Sequence, residues 1–514
     1  MYRLGLLAPL VLAVLFVSSI AGQDKDAVRQ AQALEQVLKG VIKEAEPSVV
    51  CILVSRSDAY GKLFHDSPPA DYPGRLGAFD PTTKRVFPSR PSPGDGASEP
   101  LEDSRKYDLA DARTVPEAFG SGVVIDGQEP LILTAYHVIR DATKVYVRLP
   151  GGKGSYADIH AADPRSDLAV LRLVSRNLPP QKAIKFGHGE RVQQGQFVIS
   201  LANPYAAGFR EGRPSASWGI LSNIRQRAAS WPGDEEEDPR DPKALYLHGT
   251  LLQTDAKLNL GCSGGVLLNL SGEMIGLTTA RAAISGSETA GGFAVPLDGA
   301  MKRIIDRLRE GVEVEYGFLG VTSPAKATGG VRISAPIPGS PASRAGLQVN
   351  DVIESINGVP LREADDLYLT IATTLAGSEA TLVVRGRPTP VTVTLAKSHV
   401  RGKIIVSKKP PEVRGIRVDY TSALFLQQDR RAAFFGRQEI HPGVVVREVD
   451  SRAAMLLKVN DVITHIKIRD TDVAVNSPAE FYREAAKVGA SEPLQLTLLN
   501  TEWHRGAPPK VTIP

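Results

Sequence analysis

Gly261-Cys262-Ser263-Gly264-Gly265, followed by Val266-Leu267-Leu268-Asn269-Leu270, is the stretch on which the reading of this chain turns. Glycines on both sides of one serine let the backbone bend sharply and come close to a second molecule, leaving the hydroxyl accessible. The amides of Gly261 and Ser263 can then face an oxyanion as it forms. A serine hydroxyl is a weak nucleophile at neutral pH, so it needs a base in reach, and the base needs a carboxylate to fix its tautomer. Two upstream motifs supply those residue types: Thr134-Ala135-Tyr136-His137-Val138, where a histidine ends an apolar run, and Asp167-Leu168-Ala169-Val170-Leu171, a carboxylate at the mouth of an apolar strand. Singly, each has an ordinary explanation, since aspartate before a strand is common turn chemistry. Asp163 is a rival carboxylate four residues earlier, and Cys262 is a rival nucleophile.

Outward from these motifs, short β-type runs alternate with Gly, Asn, Asp and Pro turns from Phe119 to about Pro296: GVVI, LILTAYHVI, KVYVRL, LAVLRL, QFVISL, GVLLNL, MIGLTT and GGFAVP. Such spacing predicts a β-barrel or sandwich and a mostly β chain. Two insertions interrupt the pattern. Residues 55–117 hold Pro68, Pro69, Pro73, Pro81 and further prolines with little apolar periodicity, which reads as a mobile surface loop. Residues 231–242, WPGDEEEDPRDP, read as an acidic solvated loop. At the start, Arg3, an apolar run over residues 4–17 and small residues ending near Ala21 or Gly22 have the layout of a secretory signal over 1–22. An uncleaved membrane anchor is the competing reading, although the run falls short of the ~20 residues that a span needs. Val28, Ala31, Leu34, Leu38 and Val41 then recur at helical spacing, so residues 23–47 are expected to form an amphipathic helix stopped by Pro47.

The last third repeats itself. Val349-Asn350-Asp351-Val352-Ile353 returns as Val459-Asn460-Asp461-Val462-Ile463, each after a strand-like run, which predicts two copies of one small domain at 313–398 and 413–514, with 399–412 as linker. The chain's 514 residues leave room for about three units at roughly 150 residues each. Lys plus Arg, 61, against Asp plus Glu, 57, gives +4, too even a balance to point to nucleic acid or an anionic membrane. Of the two cysteines, Cys51 sits in an apolar run and Cys262 in the glycine turn, so two free thiols are expected rather than a bridge. With no paired zinc-type spacing and no phosphate-cradling loop, neither metal nor nucleotide cofactor is expected.

At these residues the chain resembles the HtrA/Deg family of trypsin-like serine proteases. The resemblance runs from Phe119 to about Asn500 and includes Gly120-Ser121-Gly122, TAYHVI around His137, DLAVLRL from Asp167, ANP at 202–204, QTDA at 253–256, the GCSGG turn and GGFAVP from Gly291. The order His, Asp, Ser is that of chymotrypsin rather than of subtilisin. The resemblance implies a double β-barrel protease domain over 48–310, followed by two α+β PDZ domains. It makes Ser263 the nucleophile, His137 the general base and then acid, Asp167 the orienting carboxylate, and the amides of Gly261 and Ser263 the oxyanion hole. Asp163 lacks the family's DLAVL context. Cys262 stands where the family has Asn, and Val266 where it has Pro; Ser263, directly before Gly-Gly, keeps the nucleophile's register. Tyr316-Gly317-Phe318-Leu319-Gly320 resembles the loop that cradles a peptide's terminal carboxylate in the first PDZ domain, while the second copy's loop is reduced to Arg414-Gly415-Ile416.

The family further implies a periplasmic or secreted, ATP-independent endopeptidase for unfolded or misfolded polypeptides, working as a homo-trimer or larger assembly, regulated by C-terminal peptides at PDZ. Neither nucleic acid nor a lasting membrane span is expected among its partners. Lys257, six residues before Ser263, stands where trypsin-like pockets often have their floor; it opposes cleavage after Lys or Arg, unless its ammonium reaches solvent and selects nothing. A non-catalytic chaperone or PDZ adaptor built on the protease scaffold is the second reading.

Overall fold

A computed structural model describes residues 8–56, 79–80, 85–86, 108–111, 114–226, 245–279, 292–400, 403–427, 439–499 and 509–513, apart from 176, 207, 209, 323 and 490. The acidic loop expected at 231–242 and most of the insertion expected at 55–117 lie outside the described residues.

Six strands close a first barrel: Gly154–Asp163, Lys144–Arg148, Val49–Ser55, Ala118–Asp126, Leu131–Ala135 and Leu168–Leu173, the last pairing back on the first. A second closed barrel runs Ser215–Gln226, Leu251–Thr254, Gly292–Pro296, Met274–Thr279, Val266–Leu268 and Phe197–Ala202. Together they are a mostly β, chymotrypsin-like pair of barrels. Alternation along a strand sends neighbours to opposite faces, and here both faces are buried. Val50, Ile52 and Val54 fill the first barrel, and Leu267 fills the second. Val49, Val266 and Leu268 instead join the large core between the barrels. That double burial is why the runs read in the sequence are continuously apolar.

The N-terminal helix runs unbroken over Ala8–Ala45, through the expected signal boundary, and Pro47 falls in the 3-10 turn Glu46–Ser48 that follows. Val41 and Ala45 are buried and Leu38 and Ile42 pack against the inter-barrel core, whereas Val28 and Val37 are exposed. Among the described side chains of this helix, then, those of the last turns dock. Among the described residues no helix is long and apolar enough to cross a membrane.

Helix Gly299–Arg309, capped by the Asp298 carboxylate on the Met301 amide, buries Met301, Ile304, Ile305 and Leu308 and leads to the C-terminal units. The first has the strand order Ala325–Ala327, Gly330–Arg332, Val352–Ile356, Glu379–Val384, Val391–Thr394, with helices Pro341–Arg344 and Ala364–Thr373. The second has Ile416–Tyr420, Val444–Val449, Val462–Ile468, Leu494–Leu498 and Lys510–Ile513, with helix Pro478–Ala485. The repeated VNDVI segments make one turn twice. Asn350 and Asn460 are left-handed, at φ 67° and 78°. In each copy the next aspartate accepts the amide three residues back, Gln348 at 2.9 Å and Lys458 at 2.8 Å.

The segment between the two units does not simply span a gap. Ile405–Val406 pairs with Ala161 and Ala162, adding a seventh strand to the first barrel. Lys397, buried near the end of the first unit, meets Glu313 at 2.8 Å, Glu315 at 3.4 Å and Asp419 at 2.8 Å; Arg447 joins Glu313 and Asp419.

Candidate active site

Strand Leu131–Ala135 ends in the single helical turn Tyr136–Ile139, which lifts His137 off the first barrel. The hairpin between Gly154–Asp163 and Leu168–Leu173 holds Asp167 at φ 58°. Asp167 is buried, and its carboxylate meets His137 twice: Oδ2 lies 2.7 Å from the ring Nδ1, and Oδ1 accepts the His137 amide at 2.9 Å. The Asp167 carbonyl also accepts the Tyr136 amide at 2.8 Å. A buried carboxylate on Nδ1 keeps the proton there and leaves Nε2 as the basic nitrogen. Asp163 is not at the histidine. Its Oδ2 accepts the amide and hydroxyl of Ser166 and the hydroxyl of Tyr316.

Ser263 comes from the second barrel, in the turn that precedes strand Val266–Leu268. Gly261 and Gly264 have φ of 94° and 86°, a region that side chains rarely enter, so both glycines are needed for the turn itself. The turn is stitched across to the first barrel. The Ser263 carbonyl accepts the Ser121 amide at 2.8 Å, Ser121 Oγ donates to the Gly261 carbonyl at 2.8 Å, and Thr134 Oγ1, three residues before His137, donates to the Ser121 carbonyl at 2.7 Å. A Cβ on Gly120 would meet the Val138 side chain at 2.6 Å and the Ser263 carbonyl at 3.2 Å, so the histidine turn and the serine turn approach across that glycine. Peptide orientation is fixed as well. The Cys262 carbonyl accepts from Thr278 Oγ1 at 2.6 Å inside the second barrel, and the Leu260 carbonyl accepts the Tyr205 amide at 2.6 Å. In a trans peptide N–H and C=O oppose each other, so the Ser263 and Gly261 amides point away from those acceptors.

Cys262 is buried beside Ala202 and Leu258, its Sγ accepting the Asn259 amide at 3.3 Å. Burial pushes its thiol up, away from the thiolate that a nucleophile needs. Both cysteines are free. Lys257 is exposed, with its amide on Ser217 Oγ at 2.9 Å, and so does not floor a pocket. The next residue, Leu258, is buried against Gly292, where an added Cβ would sit 2.2 Å from its side chain. Sequence reasoning passed over Leu258; the glycine facing it, within GGFAVP, was the available signal.

Among the five residues read as a carboxylate loop, Tyr316 has a side-chain environment of its own. It is fully buried, with its hydroxyl on Asp163 of the first barrel, so its side chain faces the barrel rather than a peptide. Gly317–Phe318 pairs with Ala396–Lys397, and Phe318 packs on Ile337, Phe425 and Ile440. Leu319 is buried in the first unit's core, and Gly320, at φ 80°, turns the chain with its carbonyl on Ser340 Oγ and the Ile337 amide.

The trypsin-like peptidase domain family matches residues 120–277, and the PDZ domain family matches residues 332–386. The periplasmic pH-dependent serine endoprotease DegQ of Escherichia coli is 33% identical over 314 residues, 58% of this chain and 64% of DegQ, a little under two thirds of that protein's length. A probable periplasmic serine endoprotease, DegP-like, of Pseudomonas fluorescens is 30% identical over 406 residues, 76% of this chain and 78% of that protein. Among solved structures, the HtrA-type protease AlgW with tripeptide is 21% identical, aligned over 73% of this chain and 98% of that one, with a TM-score of 0.45.

Proposed function

The chain belongs to the DegP-like family of trypsin-type serine endoproteases that carry a PDZ domain, and from that premise we propose that Ser263, His137 and Asp167 are its catalytic triad. The observation that carries the reading is the pair of hydrogen bonds between the buried Asp167 carboxylate and His137, set opposite the serine turn across Gly120. His137 Nε2 takes the hydroxyl proton as Ser263 Oγ attacks the scissile carbonyl, and Asp167 stabilises the imidazolium that forms. The Gly261 and Ser263 amides receive the oxyanion. His137 then returns its proton to the leaving amine, and water repeats the sequence to release the acyl group.

The apolar Leu258 beside Gly292 supports cleavage after small aliphatic residues such as Val or Ala; a peptide-library profile dominated by Lys or Arg would refute it. The substrates are unfolded or misfolded polypeptides, hydrolysed without ATP, in the periplasm, a location supported by the names of the relatives. Backbone amides in the loop after Tyr316 bind a peptide's terminal carboxylate and so regulate turnover. The second unit is a second PDZ domain, a reading supported by its matching strand order and its left-handed Asn460 turn. The chain acts as a trimer or larger assembly, which sedimentation of the full chain tests.

Casein digestion and labelling by a covalent serine-protease probe, with and without C-terminal peptides, test the central claim. Both are expected in the wild type and absent in Ser263→Ala. Degradation retained by that variant would move the nucleophile elsewhere.

A further inference from the structure

We infer that Tyr316, at the start of the first C-terminal unit, is a positioning residue for the His137–Asp167 pair, acting through Asp163. The inference rests on the triad reading above and adds to it a residue outside the barrels.

Tyr316 is the largest fully buried side chain among the described residues. Its ring lies under the Arg165 guanidinium, 4.5 Å from the ring centroid, and its hydroxyl donates to Asp163 Oδ2. The same oxygen accepts the Ser166 amide at 2.8 Å and the Ser166 hydroxyl at 2.5 Å. Asp163 and Leu168 are paired across the hairpin, so residues 164–167 form a closed turn whose last member is Asp167. At φ 58° Asp167 takes the left-handed conformation, which aspartate enters more readily than most residues with a Cβ but which still needs local contacts to hold it. What imposes it here is the clamp on Asp163 at one end and the two bonds to His137 at the other. Continuous contacts thus run from Tyr316 to Asp163, to Ser166, and through the next peptide to Asp167 and His137.

Arg165 adds charge at this junction: it is buried on the Tyr316 ring and attracts Asp163, while its Nε and Nη1 make no hydrogen bond. The hydroxyl-to-carboxylate bond is the directional contact at the junction. Burial pushes the Tyr316 phenol well up, so it keeps its proton and remains the donor. Directly after it, Gly317–Phe318 pairs with Ala396–Lys397, so a displacement of the first C-terminal unit pulls on Asp163. Misplacing a catalytic group by about 1 Å from a distance can cost up to about 100-fold in rate.

The test compares Tyr316→Phe, Asp163→Asn and Asp163→Ala in the full chain. Tyr316→Phe deletes one oxygen and leaves the ring. It is expected to lower kcat about tenfold with KM within about twofold, with a thermal midpoint lowered by only a few degrees so that the chain stays folded at the assay temperature. Asp163→Asn keeps an acceptor oxygen for the three donors and is expected to hold kcat within about twofold of wild type, whereas Asp163→Ala loses it as Tyr316→Phe does. The downfield proton resonance of the His137 Nδ1–H is expected to shift in Tyr316→Phe and Asp163→Ala and to stay in Asp163→Asn. Wild-type kcat and an unmoved resonance in Tyr316→Phe would overturn the inference, as would a loss of rate that merely follows the unfolded fraction. The resonance needs no turnover, so a wild type that neither labels nor hydrolyses would sink the triad reading while this coupling is still decided.

Discussion

Asp167 does three things with one side chain and one carbonyl: it orients the His137 ring, holds the His137 amide and pins the Tyr136 amide. Asp167→Asn keeps the shape but puts an amide where a carboxylate fixed the tautomer. It is expected to lower kcat about 10⁴-fold with KM little changed, measured by steady-state peptide hydrolysis. The proposed triad could be read in the sequence because His137 follows one apolar strand, Asp167 precedes another and Ser263 lies among glycines before a third. The division of labour between Asp163 and Asp167 was legible only as a contest, because Asp163's third donor, Tyr316, lies 153 positions away. Cys51 makes a second residue-scale prediction. Burial pushes its thiol up to about 12, so above about pH 8.5 the unfolded chain gives up that proton before the folded one does. Stability is therefore complete below that pH and falls as pH rises toward the folded value, by about 2 kcal/mol at pH 10. Urea midpoints of wild type are expected to drop more steeply between pH 8 and 10 than those of Cys51→Ala; equal slopes would contradict this.

Elements divide by how much of each is buried on both faces. Val49–Ser55 and Met274–Thr279 are buried at every position and read as apolar runs. Gly154–Asp163, with exposed and half-buried positions at its start, and Ser215–Gln226, with a bulge near Asn223, carry no such run and escaped the sequence reading. The repeated VNDVI turn was legible because its geometry demands particular residues at consecutive positions. Asparagine tolerates the left-handed region better than other residues with a Cβ, and the following aspartate closes the turn on an amide. Asn460→Ala is expected to cost about 1 kcal/mol, and Asn460→Gly much less. The urea midpoint of the full chain checks this, and equal effects of the two would show that φ is not what the position selects.

Across the whole molecule, the contacts that join units were invisible in the sequence, since a two-residue strand such as Ile405–Val406 has no periodicity and its partner precedes it by 243 positions. Lys397 shows what such contacts are worth. Removing its charge leaves Glu313, Glu315 and Asp419 around Arg447 alone, so Lys397→Met is expected to destabilise the chain by about 3–5 kcal/mol in urea unfolding, with the C-terminal units losing protection first. The first unit also touches the second barrel, through Arg225 to Asp366 at 2.5 Å and His248 to Asp365 at 3.0 Å, on helix Ala364–Thr373. Arg225→Ala is expected to raise the radius of gyration in solution scattering, and an unchanged value would mean that this contact does not hold the unit in place. The remaining attachments have a mechanical meaning. The first unit leaves the barrel at Tyr316, bound to Asp163, and its chain returns at Ile405, paired with Ala162. Both pins sit on adjacent residues of one strand, while Arg225, His248 and the Arg303 guanidinium on the Thr373 carbonyl hold other faces of the unit, so it is fastened like a shut door, with hinge and catch both engaged.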